Sequence, residues 1–268
     1  MEGVELSIPE LAYLLNLVHA RGLPGVDDPR LFPETPAEQN NTHAKGREQL
    51  EAHAWITPVP DHNAEYEVNS FLFEMVAALA EPRTVILTVK EGPKGRHQAV
   101  LHYLAGQLIV ELFSPSRSSY RLGLVSGREG MHQRIAQMLG LTQTGQRGQW
   151  ILDVAAFEKV RSLSRKRQPA KAAKVMRSAG MDSPAGESLL GALSAPGRGQ
   201  VVVARPEEGS IVAGRRVEVY VEADGAWMVL RTSPEGKEVQ VSACDPSDLG
   251  ALLDAWIEQV SAPKSPPG

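Results

Sequence analysis

Residues 97–129 read HQAVLHYLAGQLIVELFSPSRSSYRLGLVSGRE, and residues 216–248 read RVEVYVEADGAWMVLRTSPEGKEVQVSACDPSD. In the first stretch His97 to Leu104, Gln107 to Phe113 and Tyr120 to Val125 read as strands. Ala105-Gly106 and the polar run from Ser114 to Ser119 are the turns between them. The second stretch keeps the same landmarks at a constant spacing of 119 residues: Gly106 falls on Gly225, Ser114-Pro115 on Ser233-Pro234, and Leu122 on Val241. Beyond it, Met138 falls on Ile257. Both stretches end on a helix start. Ser126-x-x-Glu129 is a capping box, and Asp245-x-x-Asp248 matches it with Pro246 at the first helical position.

The correspondence extends upstream. Leu79-Ala80-Glu81-Pro82 leads into Thr84-Val85-Ile86-Leu87, as Leu193-Ser194-Ala195-Pro196 leads into Val201-Val202-Val203. Glu91 to Arg96 is a turn or hairpin tip, and Gly197-Arg198-Gly199 reads as a turn. The chain is therefore expected to be an α+β protein of two quasi-repeated halves. Each half is an antiparallel β-meander flanked by helices, and a pseudo-twofold axis relates the two. The division is placed at residues 1–152 and 153–268: the first half has a helical lead-in, and the second begins with a basic helical segment.

That lead-in starts with Ser7-Ile8-Pro9-Glu10, a capping box with proline in the first turn, followed by the stripe Leu11, Leu14, Leu15, Leu17 and Val18 up to Gly22. Leu23 to Pro36 holds four prolines and a glycine and reads as a long loop or strap packed by Val26, Leu31 and Phe32. Helices are expected over Thr42–Trp55 and Asn63–Leu79, and the proline-rich tail from Ser261 is expected to fray.

Composition excludes several classes. With 268 residues, 42% of them hydrophobic, the chain can bury a substantial core. A single cysteine, Cys244, rules out an internal disulfide framework and reads as a small core residue. No apolar run is long enough to span a bilayer, and Met1 to Glu5 is acidic where a secretory signal is basic, so a cytoplasmic protein is expected. No phosphate-binding glycine loop, nucleophile elbow or H-E-x-x-H pair occurs. His43 and His53 fall on different helix faces, and Asp27-Asp28 before Pro29 reads as a loop cap. No catalytic group, metal or cofactor is expected.

Net charge is −4, but eight cations lie between Lys159 and Met181 with no acid among them. Residues 159–177 form either a solvated helical face or a surface for nucleic acid or an acidic partner. No aromatic residue interleaves for base stacking.

Several of these features together resemble the EspG family of type VII (ESX) secretion-associated chaperones, across residues 5 to 260. They are Leu11-x-x-Leu14-Leu15, the Ala44–Trp55 helix before a proline-rich break, and Leu79-Ala80-x-Pro82 entering Val85-Ile86-Leu87. Leu104-Ala105-Gly106-Gln107 between strands and the capped helices at Ser126 and Asp245 complete the set. The resemblance implies a cytosolic, non-enzymatic chaperone whose sheet and neighbouring helices grip the end of a helical secretion substrate, a PE–PPE pair. On it, Lys94 and Arg96 of the hairpin and Tyr103 of the sheet are candidate partner contacts; Lys94 and Arg96 read equally as solubilising turn residues. The alternative is a nucleic-acid-associated or regulatory protein acting through residues 159–177, a segment that matches nothing in the family. An enzyme with an unrecognised site is the third reading.

Overall fold

The computed structural model describes residues 3–59, 66–92, 97–142, 148–181, 184–195, 197–222, 225–232 and 236–262. The first half contributes strand β1 (Gly3–Ser7), helices α1 (Ile8–Leu17) and α2 (Pro36–Ala52), and a small hairpin of β2 (Ile56–Pro58) and β3 (Tyr66–Val68). It continues through α3 (Ser70–Ala80), β4 (Thr84–Glu91), β5 (His97–Ala105), β6 (Leu108–Ser116), β7 (Ser119–Leu124) and α4 (Gly127–Leu139). The second half follows as β8 (Gln149–Asp153), α5 (Val154–Arg165), α6 (Pro169–Ser178), α7 (Pro184–Ser194), β9 (Gly197–Glu207), β10 (Ser210–Glu222), β11 (Gly225–Arg231), β12 (Glu238–Cys244) and α8 (Pro246–Ser261). The protein is a mixed α+β structure around one large antiparallel sheet.

That sheet has ten strands in the order β1-β7-β6-β5-β4-β9-β10-β11-β12-β8. Read inward from either edge, the order is the same: a short strand that feeds a helix, then the meander backwards, to a central seam between β4 and β9. Alternation along each strand sorts side chains to two faces. On one face α1, α2 and α3 cover the first half through Leu11, Leu50 and Met75 against Leu101, Val110 and Leu122. On the same side α5, α6 and α7 cover the second half through Phe157, Met176 and Leu189 against Trp227, Val229 and Val241. On the other face α4 and α8 sit over the seam, packing Met131, Ile135, Leu253 and Trp256 on Ile86, Val201, Val203 and Val219.

Ladder registers match strand for strand. In the first half one row of paired residues runs Val4–Leu122–Leu112–Leu101–Leu87. In the second the row in the same place runs Trp150–Val241–Val229–Glu218–Gln200. At the seam Leu87 pairs with Val202 while Val89 pairs with Gln200. In these rows Leu101 stands where Glu218 stands, two residues short of the constant spacing read from the sequence. Leu122 and Val241 restore it, because nine residues separate the paired Leu112 and Leu122 while eleven separate the paired Val229 and Val241.

Local chemistry explains the elements, including the unexpected ones. Ser7 and Glu10 form the capping box that starts α1, and Glu10, nearly enclosed, also accepts from Nδ1 of His53 at 2.8 Å. α1 ends at Leu17, short of Gly22. α2 starts earlier than expected because Thr35 and Glu38 form a second capping box around Pro36. It lies on α1 at Gly46, where a Cβ would stand 2.1 Å from the Pro9 carbonyl. The expected helix over Asn63–Leu79 is shorter: Tyr66 to Val68 pair in register with Ile56 to Pro58, and Asn69 caps a helix starting at Ser70. Ser126 makes no side-chain cap to α4, because Gly127 adopts φ +67 and turns the backbone away, whereas the Asp245 box forms in full. Gly197 to Gly199 is not a turn; it pairs with Val219 to Val221 as the start of β9. Cys244 is fully buried, and burial, with the Asp248 and Asp245 charges, pushes its thiol up to about 12.

Candidate functional site

The two halves differ most at one corner each. In the first half the strap from Leu23 to Pro36 crosses the sheet beside α1. Leu23 and Leu31 are buried under it, and a short 3-10 turn at Pro29–Leu31 is capped by Asp28. Gly25 lies so close that a Cβ would meet Leu101 Cδ2 at 2.5 Å, and its φ of +83 already favours glycine. The Tyr103 hydroxyl donates to the Pro24 carbonyl at 2.8 Å, and the Tyr120 hydroxyl to Asp28 at 2.9 Å. Tyr103 is thus wholly enclosed, and its hydroxyl is a strut for the strap.

In the second half α5 passes to α6 through a tight turn at Arg167, with φ +53, and no strap intervenes. The corresponding corner is a cavity of about 830 Å³. Its apolar part is Phe157, Val229, Val239 and Trp256. Five arginines, Arg161, Arg198, Arg215, Arg216 and Arg231, line it with two acids, Glu158 and Glu218. Glu218, in the place of Leu101, organises the group. It accepts from Arg161 at 3.2 Å, Arg198 at 3.0 Å, Arg216 at 2.7 Å and the Tyr220 hydroxyl at 2.6 Å.

Burial acts to raise the Glu218 carboxyl. The Tyr220 hydrogen bond and the charges of Arg198, Arg161 and Arg216 outweigh it and hold the group below its ordinary range. Burial and the Glu218 charge together push the Tyr220 phenol up to about 12. Glu158 pairs with Arg161. Among the described residues no ion pair takes up Arg215 or Arg231. Both are exposed.

The root of the β4–β5 hairpin adjoins this cavity. Glu91 pairs with His97 across the hairpin and with Arg198 across the seam, where the two side chains come within 4.0 Å. Lys94 and Arg96, the expected contacts at its tip, lie outside the described residues. Of the three expected contact residues, then, only Tyr103 is placed, and it lies inside the protein.

A second open surface lies on the α8 side of the far edge. Leu152 enters the core, so its neighbour Ile151 faces the other way and is 62% exposed. Ile151 pairs with Gln240, which pairs with Leu230. A hollow of about 840 Å³ runs from there to Leu252 of α8. In the first half the strand pair in the same place carries Glu5 opposite Arg121, both exposed.

The basic segment occupies α5 and α6. Their apolar sides, with Phe157, Val160, Ala172 and Met176, are core, while Lys159, Arg165, Lys166, Arg167, Lys171 and Arg177 are exposed. The arginine cavity was not legible in the sequence, because its members come from α5, β9, β10 and β11. The usable signal was Glu218 and Gln200 standing in a row whose first-half counterpart is aliphatic throughout, and the two-residue slip in spacing hid it.

By sequence, no protein family and no curated protein matches this chain. By structure it is similar to the Mycobacterium tuberculosis type VII secretion system chaperone EspG5, solved in complex with a PE25–PPE41 dimer. The match has a TM-score of 0.66 at 13% identity and covers 98% of each chain. The fold of this protein is EspG-like from end to end.

Proposed function

We propose that the protein is a non-enzymatic cytoplasmic chaperone that holds the end of a helical secretion substrate of PE–PPE type. The observation that carries this reading is the correspondence of fold over the whole length of a chaperone solved with such a dimer. The two halves, residues 1–152 and 153–268, are read as copies of one unit; the shared strand order and matched ladder rows support this. A substrate end presents apolar surface that needs covering before export. The exposed Ile151 on the far edge and the corner beside the β4–β5 hairpin offer apolar area among polar groups suited to it. Lys94 and Arg96 are proposed as rim contacts from the hairpin. Tyr103 is proposed to act through the strap it holds.

The test is co-expression of the full chain with a PE–PPE-type pair encoded beside it, followed by size-exclusion chromatography. A stable stoichiometric complex supports the reading, and Ile151→Asp should reduce it. A substrate pair that stays soluble and never co-elutes with the chain overturns it.

A second reading has its own observation, the exposed cations of α5 and α6. It predicts salt-sensitive binding of duplex DNA or RNA that is lost when Arg165, Lys166 and Arg167 are replaced by alanine.

A further inference from the structure

The corner cavity of the second half is the least explained feature of the molecule. Positive charge alone would make it a solvated rim, but three features set it apart. Arginines gather there: five of them, from four separate elements, line one space of about 830 Å³ at the point where β10 runs on past its last pair with β11, Val217 with Leu230. Three of them are held in place by a carboxylate they share, so their geometry is fixed before any ligand arrives. Phe157, Val229 and Val239 from the α5 side of the sheet and Trp256 from the α8 side, all nearly enclosed, line the same space. In the first half the same corner is filled by a segment of the chain itself, the strap, anchored by Leu23 and Leu31 and by the Asp28 carboxylate.

We infer that this cavity is a docking site for an acidic segment of a protein partner, with an apolar side chain entering between Phe157 and Trp256 and carboxylates meeting Arg215 and Arg231. The inference rests on reading the chain as a protein-binding one, not on which substrate it carries.

Charge complementarity selects the occupant. Arg215 and Arg231 have planar donor forks with no carboxylate partner among the described residues, and a carboxylate is the group that fits such a fork. An apolar floor of this size favours an amphipathic peptide over a phosphate chain. A nucleic-acid strand would call for exposed aromatic faces, and the two aromatic residues here, Phe157 and Trp256, are nearly enclosed. The strap shows that a polypeptide with an apolar anchor and an acidic residue can occupy such a corner.

The experiment uses the full chain and a rhodamine-labelled helical peptide of about three turns, with leucines along one face flanked by glutamates. Binding is followed by fluorescence anisotropy. Saturable binding that weakens with added salt is expected. Arg215→Glu combined with Arg231→Glu should weaken it about tenfold or more, while Lys171→Glu combined with Lys174→Glu on α6 should change it less than about threefold. Replacing the peptide leucines by glutamine should abolish binding. Thermal melting checks that both double variants fold; should the first not fold, Arg215→Gln with Arg231→Gln takes its place.

Equal losses from the two double variants would reduce the effect to general charge and overturn the assignment. So would tighter binding of a single-stranded oligonucleotide or of pyrophosphate, equal binding of a lysine-for-glutamate peptide, or no binding at all. Failure of the peptide while the wild-type chain still forms a substrate complex overturns the cavity assignment alone. Peptide binding without any substrate complex overturns the proposed function and leaves the cavity standing.

Discussion

The strap corner of the first half and the arginine corner of the second occupy matching places in one sheet, yet one is sealed and the other is open. The difference centres on one ladder pair, Leu101 with Leu87 in the first half and Glu218 with Gln200 in the second. At Leu101 the row is aliphatic throughout, so the exposed sheet needed a cover, and the strap from Leu23 to Pro36 supplies it. At Glu218 the row carries a charge that must stay hydrated or paired, and a cover would have to desolvate it together with its arginines. One substitution of character, apolar to anionic, thus goes with the loss of a lid and the gain of a polar cavity. Between two matching places in one sheet, the chemistry of the inward positions goes with whether the chain covers its own sheet or leaves it open.

The sharpest way to break this comparison is to move the charge. Leu101→Glu would bury an unpaired carboxylate beneath the strap and should cost about 4 kcal/mol of stability in urea denaturation. Glu218→Leu should cost no more than about 1 kcal/mol, because its arginines can reach water. A Leu101→Glu variant as stable as Glu218→Leu would show that the two corners do not differ in this way.

Next in size is Gly25→Ala. It forces an alanine to φ +83 against Leu101 and should lower stability by about 2 kcal/mol and loosen the strap to proteolysis, with no effect at the second corner. Tyr103→Phe removes one buried hydrogen bond to Pro24 and should cost about 1 kcal/mol, constant through the neutral range.

The smallest effects are in pH. Tyr220 has its phenol raised from about 10 to about 12, so the stability it contributes is present below pH 10 and is lost as the pH rises towards 12. Tyr220→Phe should flatten part of that alkaline loss. Glu218 is held low, so its contribution is present above the ordinary glutamate range and is lost as the pH falls through its folded value. Glu218→Gln should flatten part of the acid limb of the melting temperature and leave the share of Asp28 at the strap corner, held low by its Arg30 and Tyr120 hydrogen bonds, unchanged.

Much of the framework was written in local patterns. The four strands of the first meander, the capping boxes at Ser7 and Asp245 and the burial of Cys244 depend on neighbours in sequence, and they are found as expected. The helix expected over Asn63–Leu79 is cut short because Tyr66 to Val68 find a pairing partner in Ile56 to Pro58, which no local rule reports. Ser126 fails as a cap because Gly127 leaves helical geometry at the point where the side chain had to reach back. Tyr103 looked like a sheet-face residue open to a partner; only the path of the strap, eighty residues earlier in the chain, encloses it. The arginine cavity was out of reach for the same reason: Arg161, Arg198, Arg216 and Arg231 become neighbours only when four elements come together. A repeat read at fixed spacing is blind to turn-length changes, and the longer β11–β12 turn moved Glu218 away from its counterpart.

The seam between β4 and β9 runs without interruption from Val85 opposite Ala204 to Glu91 opposite Arg198. A molecule joined this way has no hinge. Its halves cannot open and shut like jaws, since any swing would have to shear a whole ladder of backbone bonds at once and expose the valines beneath α4 and α8. Recognition must then be lock-like on this side. Under the proposed function, a bound partner has to supply whatever flexibility the encounter requires, and release has to come from something that competes for the same surface rather than from this protein changing shape.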